Sequence, residues 1–326
     1  MTVGPETCYR VKGGEPLRGT VFVQGAKNAV LKMIAASLLA SEGRTVLRNV
    51  PPIEDVRRAI ELAQAVGAVV KFHEAERTLV VDASSLNSAV LPAEIARRFR
   101  GSVLFVPALL HRMGEAVIEG IGGCNLGSRN LDFHYRGFAR LGATVEEAGD
   151  KIYIKAGRMR GAHLYLDTPS HTGTENLIMA ASLAPGTTVI DNTAQEPEVL
   201  DVIAFLTKMG AQISGGGTGF ITVRGVSGLT ATEHTVMADR IDAGSTGLVR
   251  LDASTTSVRS VSWNSTTAPT ASASSTARRT SSMAGTFRST VWPLPVSRDA
   301  AIIFSAAFFA PCTKTVPCSG APPRTR

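Results

Sequence analysis

The sequence predicts an α/β protein built from repeated helix–strand units, followed by a C-terminal stretch of different character. Three observations support this prediction. Segments with helical and with strand periodicity alternate through residues 1–250. Two blocks of similar sequence recur within that part of the chain at matched spacing. From residue 251 onward, both the periodicity and the composition change abruptly.

The first elements follow one another at short intervals. "TVFVQGAKN" (20–28) alternates like a strand and then turns, and "AVLKMIAASLLASEG" (29–43) has helical spacing and ends at a glycine. "RTVLRNVPP" (44–52) reads as a strand that prolines stop, whereas "IEDVRRAIELAQAVGA" (53–68) has the polar and apolar faces of an amphipathic helix. Two short strands are predicted next, in VVKF and TLVVDA.

The repeat is visible in two blocks, "AASLLASEGRTVLRN" (35–49) and "AASLAPGTTVIDN" (180–192). Gly67 follows Asn49 by eighteen residues, and Gly210 follows Asn192 by the same number, with alanine next in both cases. A third Gly-Ala pair stands at 142–143. Each unit is therefore predicted to be a helix, a strand, a second helix closed by Gly-Ala, and a further strand. Chance similarity is the alternative, and the identical spacing argues against it.

A glycine-rich segment, "SGGGTGF" (214–220), resembles a nucleotide-binding loop only superficially. It lacks the lysine and the spacing of a P-loop, and it lacks the strand–turn–helix setting of a dinucleotide-binding turn. We predict a hairpin between two strands at this position.

The charge of the chain is unevenly distributed. The net charge is +7, but residues 251–326 contain eight basic and two acidic residues, so residues 1–250 carry a balance of only +1. Because residues 1–250 are nearly neutral, their charge argues against a nucleic-acid-binding protein. No apolar run reaches the roughly 20 residues that span a bilayer. The first residues contain no apolar signal core, so we expect a cytoplasmic protein without a membrane partner.

Cysteine usage excludes two further classes of protein. The four cysteines are Cys8, Cys124, Cys312 and Cys318, and none of them forms a CxxC pair. Neither a disulfide framework nor a zinc ribbon is therefore indicated, and we expect no metal.

Residues 251–326 contain 14 serines and 12 threonines but no glutamate. One interpretation is a disordered Ser/Thr-rich tail. The other is an out-of-frame translation of coding DNA. The abrupt change of character falls inside an apparent element, which favours the second interpretation.

Cys124 lies between glycines in "GIGGCNLGSR" (120–129). Glycines allow such a loop to move, and a guanidinium such as that of Arg129 would raise the thiolate fraction of the cysteine. A small buried hydrophobe is the alternative role for a free cysteine, and the spacing alone does not decide between the two.

Other polar residues stand at predicted helix ends. Lys27 and Asn28 enter a helix, where an anion would be attracted, although a solvated lysine is the simpler interpretation. Arg100 ends the predicted helix "AEIARRFR", where it would either clamp a phosphate or complement the helix dipole. "SRNLDFH" (128–134) and "SHTGTEN" (170–176) would either hold a polar ligand or cap a helix.

Taken together, these stretches identify a family. The chain resembles the UDP-N-acetylglucosamine 1-carboxyvinyltransferases, also called UDP-N-acetylglucosamine enolpyruvyl transferases, from residue 10 to about residue 248. The stretches that carry the resemblance are "GAKNAVLKMIAASLLASEG", "NVPPIEDVRRAIELAQAVGA", "FRGSVLFVPALLHR", "GGCNLGSRNLDFHYRGFARLGATV", "DTPSHTGTENLIMAASLAPGTTVIDNTAQEPEVLDV" and "MADRIDAGS".

The resemblance implies a fold of two inverse α/β barrel-like domains, each built of three repeated units. In that family the chain starts in one domain, builds the other completely and then returns to the first. Residues 1–24 and 239–250 would belong to the interrupted domain, and residues 25–238 to the complete one. Residues 251–326 would be an aberrant tail without regular structure, leaving the second domain incomplete.

The resemblance also implies the reaction, in which the enolpyruvyl group of phosphoenolpyruvate moves to the 3′-hydroxyl of UDP-N-acetylglucosamine. This is the first committed step of peptidoglycan synthesis, and it needs no cofactor. Cys124 matches the general acid of an addition–elimination mechanism. The residues that match phosphoenolpyruvate-binding positions are Lys27, Asn28 and Arg129. The residues that match UDP-N-acetylglucosamine-binding positions are Arg100, Arg129, Asn130, Leu131, Asp132, Phe133, Ser170, His171 and Thr172.

The chain departs from the family after "DRIDAGS". Neither the motif of the family's catalytic aspartate nor that of its second phosphate-binding arginine is found there. We therefore expect the chain as written to lack transferase activity. The alternative to an enzyme is a non-catalytic remnant that binds the UDP-sugar. The expected partners are the two small-molecule substrates, with no protein, nucleic acid or membrane.

Overall fold

The structure is a computed structural model that describes residues 19–120, 132–243, 263–264 and 301–304. The chain divides into two compact units. The larger unit is formed mainly by Gln24–Asp239. Every candidate site residue that the structure describes lies in this unit.

The strands of the described residues, in chain order, are β1 (Gly19–Phe22), β2 (Arg44–Arg48), β3 (Val69–His73), β4 (Thr78–Asp82), β5 (Val90–Leu91), β6 (Glu115–Glu119), β7 (Ala143–Ala148), β8 (Lys151–Ala156), β9 (His163–Tyr165), β10 (Thr187–Asp191), β11 (Gln212–Ser214), β12 (Phe220–Arg224), β13 (Glu233–Thr235), β14 (Trp263–Asn264) and β15 (Ala301–Phe304). The α-helices are α1 (Lys27–Ser37), α2 (Glu54–Ala65), α3 (Ala93–Ala96), α4 (Val106–Met113), α5 (Asp132–Leu141), α6 (His171–Ser182) and α7 (Pro197–Lys208). Two 3-10 helices, Glu74–Glu76 and Arg100–Phe105, complete the description.

The larger unit contains three four-stranded sheets with one common arrangement. Their strand orders are β13-β2-β4-β3, β5-β6-β8-β7 and β9-β10-β12-β11. In each sheet the first two strands are parallel, and the following pairs are antiparallel. The same arrangement in three consecutive segments confirms that the fold is built of repeated units.

The first sheet is completed by a strand from the far end of the unit. β13 pairs in parallel with β2, with Glu233 opposite Val46. In the other two sheets, the parallel edge strand comes directly before the helices of its own repeat. The chain therefore closes the ring of three repeats by returning to the first one.

The three Gly-Ala pairs close the second helix of each repeat, as the sequence predicts. Gly67, Gly142 and Gly210 have φ angles of 101°, 104° and 109°, a conformation that side chains disfavour. After α2 and α7, the following alanine N–H reaches back five residues to a helix carbonyl at 3.0 Å. This pattern ends a helix and turns the chain into the next strand.

The first helices of the repeats form the centre of the unit. All residues of α1 from Ala29 to Ser37 are buried, and so are all residues of α6 from Gly173 to Ser182. A helix that is buried on every side must lie inside the fold. The strands instead alternate between buried and more exposed residues, as in β2. Helices inside and sheets outside give the inverse α/β arrangement that the resemblance implies.

Helix α1 is shorter than the sequence predicts. It ends at Ser37 rather than near Gly43, because the backbone N–H groups of the next three residues donate to carbonyls only three residues back instead of four. Ala40 then forms a bridge with Leu229. The hairpin predicted for residues 214–220 is confirmed, since β11 and β12 pair in antiparallel fashion across it.

The smaller unit contains a sheet of order β1-β15-β14. Gly19 lies opposite Phe304, and Trp263 lies opposite Ile302. β14 and β15 fall within 251–326, where the sequence predicts no regular structure; two adjacent isoleucines favour a strand in β15. The rest of that range lies outside the described residues, and the prediction for it stays a prediction.

No helix within the described ranges combines the length and the hydropathy needed to cross a membrane.

Candidate functional site

The candidate site is built around the first turn of α6, which the first turns of α1 and of α5 each contact. We call this group the N-terminal cluster: the first turns of α1, α5 and α6, together with the start of the 3-10 helix at Arg100. Backbone N–H groups at a helix N-terminus have no partner within the helix, and the helix dipole is positive there.

The backbone at the entrance of α1 is fixed by the segment that follows β13. The Ala26 N–H donates to the Met237 carbonyl at 2.7 Å, and the Lys27 N–H donates to Asp239 Oδ2 at 3.3 Å. A Cβ on Gly25 would lie 1.8 Å from the Asn49 carbonyl oxygen, so the chain can pass here only as glycine. Glycine at position 25 is therefore required by close packing.

The side chain of Lys27 is exposed and ion-paired. Its Nζ lies 2.8 Å from Asp55 Oδ2, and the two side chains are 46% and 39% exposed. An ion pair this open to water contributes little stability, and the ammonium can exchange Asp55 for a ligand anion. The geometry is therefore compatible both with a solvated lysine and with an anion-binding one.

The first turn of α6 combines a cap with two further polar side chains. Ser170 is the N-cap, and its Oγ accepts a hydrogen bond from the Gly173 N–H at 3.2 Å. The His171 ring follows, with Nδ1 lying 3.3 Å from Thr172 Oγ1. Ser170 thus performs the capping role that the sequence left as an alternative to ligand binding.

Lys32 joins α1 to α6. Its Nζ donates to the Asn28 carbonyl, lies 2.9 Å from Glu175 Oε2 and lies 3.2 Å from His171 Nδ1. The first turns of the two helices are therefore in direct contact through one ammonium group.

The first turn of α5 packs against that of α6. A Cβ on Gly173 would lie 2.6 Å from the Phe133 ring, so the ring rests on the α6 backbone. The Phe133 and His134 ring centroids are 4.5 Å apart. Asp132, at the start of α5, lines an open cavity of about 540 Å³ together with Tyr135 and Asp167.

His134 lies beneath this turn and is held neutral. It is 1% exposed, and burial, helped by the positive charge of Arg100, lowers its pKa to about 3. The Asn176 Nδ2 group donates to His134 Nδ1 at 3.0 Å and to the Val103 carbonyl at 3.2 Å. Arg100 therefore adds positive charge to the N-terminal cluster close to α5.

The setting of Arg100 differs from the predicted one. Helix α3 ends at Ala96, and Arg100 begins a 3-10 helix instead of ending an α-helix. Phe99 is extended, with φ −135° and ψ 98°, and this breaks the predicted helix before Arg100. The interpretation of Arg100 as a cation at a helix C-terminus is therefore wrong.

Four predicted site residues lie outside the described residues: Cys124, Arg129, Asn130 and Leu131. All four belong to the segment between β6 and α5. The structure brings together the predicted residues at the contacting helix starts, namely Asn28, Asp132, Phe133, Ser170, His171 and Thr172. Arg100 lies close enough to α5 for its charge to lower the pKa of His134, whereas the Lys27 side chain is paired with Asp55 of α2.

Sequence reasoning missed three charged residues of this region: Lys32, Glu175 and Asp239. Lys32 interrupts an apolar helical run in "AVLKMIAAS", and Glu175 stands just ahead of another in "TENLIMAAS". A charged residue on the apolar face of a predicted helix is a detectable signal, because such a residue is buried only with a partner. Asp239 lies within a quoted motif, but its contact with α1 depends on the return of the chain.

Comparisons with known proteins agree on one family. The EPSP synthase (3-phosphoshikimate 1-carboxyvinyltransferase) family profile matches residues 11–272. A protein from Thermobifida fusca (strain YX), a UDP-N-acetylglucosamine 1-carboxyvinyltransferase, is 73% identical over 247 residues, which is 74% of this chain and 57% of that protein. The chain thus spans little more than half the length of this relative.

Two solved structures are similar in fold. The enolpyruvyl transferase NikO from Streptomyces tendae matches with a TM-score of 0.62 and 25% identity, over 72% of this chain and 55% of that one. An EPSP synthase from Acinetobacter baumannii matches with a TM-score of 0.57 and 17% identity, over 70% of this chain and 52% of that one. At 17% identity, the second likeness concerns the fold alone.

Proposed function

Because the chain belongs to the EPSP synthase family of 1-carboxyvinyltransferases, we propose that its site is that of the transfer of the enolpyruvyl group from phosphoenolpyruvate to the 3′-hydroxyl of UDP-N-acetylglucosamine. The observation that supports this most directly is the contact of the α6 N-terminus with those of α1 and α5, which carry Lys27 and Asp132. A cytoplasmic location and small-molecule substrates, without a metal or cofactor, are part of the same proposal.

The chemistry of the two substrates fits such a cluster. Phosphoenolpyruvate and the nucleotide sugar both carry phosphate groups, and phosphoenolpyruvate carries a carboxylate as well. Helix N-terminal N–H groups and guanidinium or ammonium groups are the standard ligands for these oxyanions. The contacting helix N-termini place N–H donors near one another before any substrate arrives, although those of Lys27 and Gly173 already donate to Asp239 and Ser170.

We assign the described residues to the two substrates as follows. Lys27 and Asn28, at the entrance of α1, bind phosphoenolpyruvate. Arg100 clamps the nucleotide sugar, Asp132 and Phe133 hold its uridine end, and the first turn of α6 from Ser170 to Thr172 holds its diphosphate. Support for the last assignment is the half-buried His171 beside a capped helix N-terminus.

Cys124 is proposed as the general acid that protonates the methylene carbon of phosphoenolpyruvate, Arg129 as a ligand of both substrates, and Asn130 and Leu131 as ligands of the nucleotide sugar. The support for these roles comes from the sequence, and a thiol can donate the proton that this step requires.

We further propose that the chain as written binds UDP-N-acetylglucosamine weakly and does not turn it over. The binding groups assigned above belong to the larger unit, whereas the motifs of the general base and of the second phosphate-binding arginine are not found after "DRIDAGS". Catalysis requires all these groups to be placed together around the transition state. The alternative, a non-catalytic remnant of such an enzyme that binds the UDP-sugar, predicts the same binding.

The test is a calorimetric titration of the full chain with UDP-N-acetylglucosamine and, separately, with shikimate 3-phosphate, the acceptor that the family name implies. We expect binding of the nucleotide sugar only. A Lys208→Met variant, which removes an exposed lysine at the end of α7, should bind equally well. Binding of shikimate 3-phosphate instead would contradict the assignment, and phosphate release with both proposed substrates present would contradict the expected lack of turnover.

A further inference from the structure

A buried ion pair lies directly beneath the N-terminal cluster. Lys32 is 3% exposed and Glu175 is fully buried, and their charged atoms are 2.9 Å apart. Burying two charges costs several kcal/mol of desolvation, which the pair recovers only with good geometry. Apolar residues of similar size would fill this space without that cost, so the pair needs an explanation beyond packing.

The bonding around Lys32 points to what the ammonium does. It makes hydrogen bonds to the Asn28 carbonyl in α1 and to His171 Nδ1 in α6, and the Glu175 carboxylate neutralises its charge. Neither carboxylate oxygen of Glu175 has a well-directed hydrogen-bond partner among the described residues. Glu175 therefore acts as the counterion of Lys32. The hydrogen bonds of Lys32 to Asn28 and His171 connect the first turn of α1 with the first turn of α6.

The contact with His171 has a consequence for the imidazole ring. An ammonium group only donates hydrogen bonds, so His171 Nδ1 must accept the bond from Lys32 and cannot carry a proton itself. The proton of the neutral ring is then on Nε2. Glu175 Oε2, at 3.5 Å from Nδ1, would favour the opposite tautomer, but the nearer Lys32, at 3.2 Å, opposes it.

We propose that Lys32 is a positioning residue for the substrate site. Its buried ammonium holds the first turns of α1 and α6 together and fixes His171 as the neutral tautomer with the proton on Nε2. His171 then enters the site as a neutral hydrogen-bond donor in a set orientation. This assignment of a role in substrate binding rests on the proposed function, whereas the tautomer of His171 does not.

The first measurement is made on the unsubstituted full chain, with a His171→Gln variant as the reference that identifies the signals of this ring. With histidine labelled by 15N, the NMR correlation spectrum at pH 7 distinguishes the two ring tautomers. We expect an unprotonated Nδ1 and a protonated Nε2. A protonated Nδ1, in either a neutral or a charged ring, would overturn the proposal.

The second measurement compares two double variants. Lys32→Met/Glu175→Leu removes both charges together, so that no unpaired charge remains buried. Ser37→Ala/Ser182→Ala removes two buried hydroxyls at the opposite ends of the same helices, where each bonds a carbonyl one turn back. Circular dichroism would establish that both variants are folded.

In Lys32→Met/Glu175→Leu we expect mixed tautomers of His171 and a roughly tenfold weaker affinity for UDP-N-acetylglucosamine, as for the loss of one charge-assisted hydrogen bond. The serine variant should keep both the tautomer and the affinity. Unchanged tautomer and affinity in the first variant, or equal losses in both variants, would overturn the proposal. If the unsubstituted chain does not bind the nucleotide sugar, the proposed function fails, and the tautomer still decides the role of Lys32.

Discussion

At the scale of single residues, burial decides the protonation state of His134. This ring lies in the first turn of α5, and its pKa is about 3 instead of the ordinary 6.5, so it is neutral in the folded chain. In the unfolded chain the same ring would be protonated below pH 6.5. Between these two values the unfolded state binds the extra proton, so the free energy of unfolding must fall as the pH falls.

We predict that His134→Gln reduces this dependence on pH. The steepest contribution of one such group is about 1.4 kcal/mol per pH unit, so between pH 6.5 and 5 the unsubstituted chain should lose about 1 to 2 kcal/mol more than the variant. Urea unfolding at several pH values would measure the difference. His111, whose pKa burial also lowers, should leave a residual slope.

The matched control is Ser182→Ala. It removes a buried hydroxyl but no titratable group, so it should leave the pH dependence of stability unchanged. Parallel curves for the unsubstituted chain and His134→Gln would show that His134 is not buried in its neutral form.

Lys27 provides a second prediction at the scale of one residue. Lys27→Met and Asp55→Asn both remove the same exposed ion pair, so each should change the free energy of unfolding by less than about 1 kcal/mol. Only Lys27→Met also removes the positive charge, so we expect it alone to weaken phosphoenolpyruvate binding, by roughly tenfold. Calorimetric titration would compare the two. Equal affinities would leave Lys27 as a solvated surface residue.

Part of the candidate site could be predicted from the sequence. Residues at helix starts, such as Lys27 and Ser170, could be found because a helix N-terminus has a recognisable sequence and a known attraction for anions. Glu175 could not be placed, because its partner, Lys32, lies 143 positions earlier in the chain. The prediction that Arg100 ends an α-helix was wrong, because one extended residue, Phe99, interrupts an otherwise helical sequence pattern.

Among the elements, helices and strands of the larger unit follow the periodicity of the sequence closely. The repeat could be predicted because each second helix needs a residue with positive φ at its end, and glycine meets that need at the same place each time. The strand order of the first sheet could not be predicted. Its edge strand, β13, is three residues long and carries no strong alternation.

The Gly-Ala closures yield a prediction with an internal control. Gly67 and Gly210 have φ angles of 101° and 109°, so an alanine at either position is strained. An added Cβ on Gly210 meets nothing within 4 Å, whereas one on Gly67 would lie 2.6 Å from Asn87 Oδ1 and 2.8 Å from the Ser85 carbonyl oxygen. Gly210→Ala should therefore destabilise the fold by about 1 to 2 kcal/mol, and Gly67→Ala by clearly more.

Urea denaturation monitored by circular dichroism would rank the two variants. A Gly67→Ala variant as stable as Gly210→Ala would contradict the close packing of the loop that follows β4 against the end of α2.

For the molecule as a whole, the larger unit has its own hydrophobic core and a closed ring of three repeats. We therefore predict that a fragment of residues 24–239 folds cooperatively on its own. A fragment of residues 24–228 lacks β13 and the segment that holds the α1 entrance, so it should unfold at a lower urea concentration or aggregate. Urea unfolding and size-exclusion chromatography of both fragments would test this. Similar behaviour of the two fragments would show that β13 is dispensable.

The pairing of β13 with β2 also sets an order of events during protein synthesis. The ribosome makes β2 early and β13 last among the strands of the larger unit, and the paired Val46 and Glu233 are 187 positions apart. At elongation rates of about 5 to 20 residues per second, that interval lasts roughly 10 to 40 seconds. Throughout it, the nascent chain carries a bare strand edge, the kind of surface on which neighbouring chains associate. Premature termination before residue 233 would make that temporary exposure permanent.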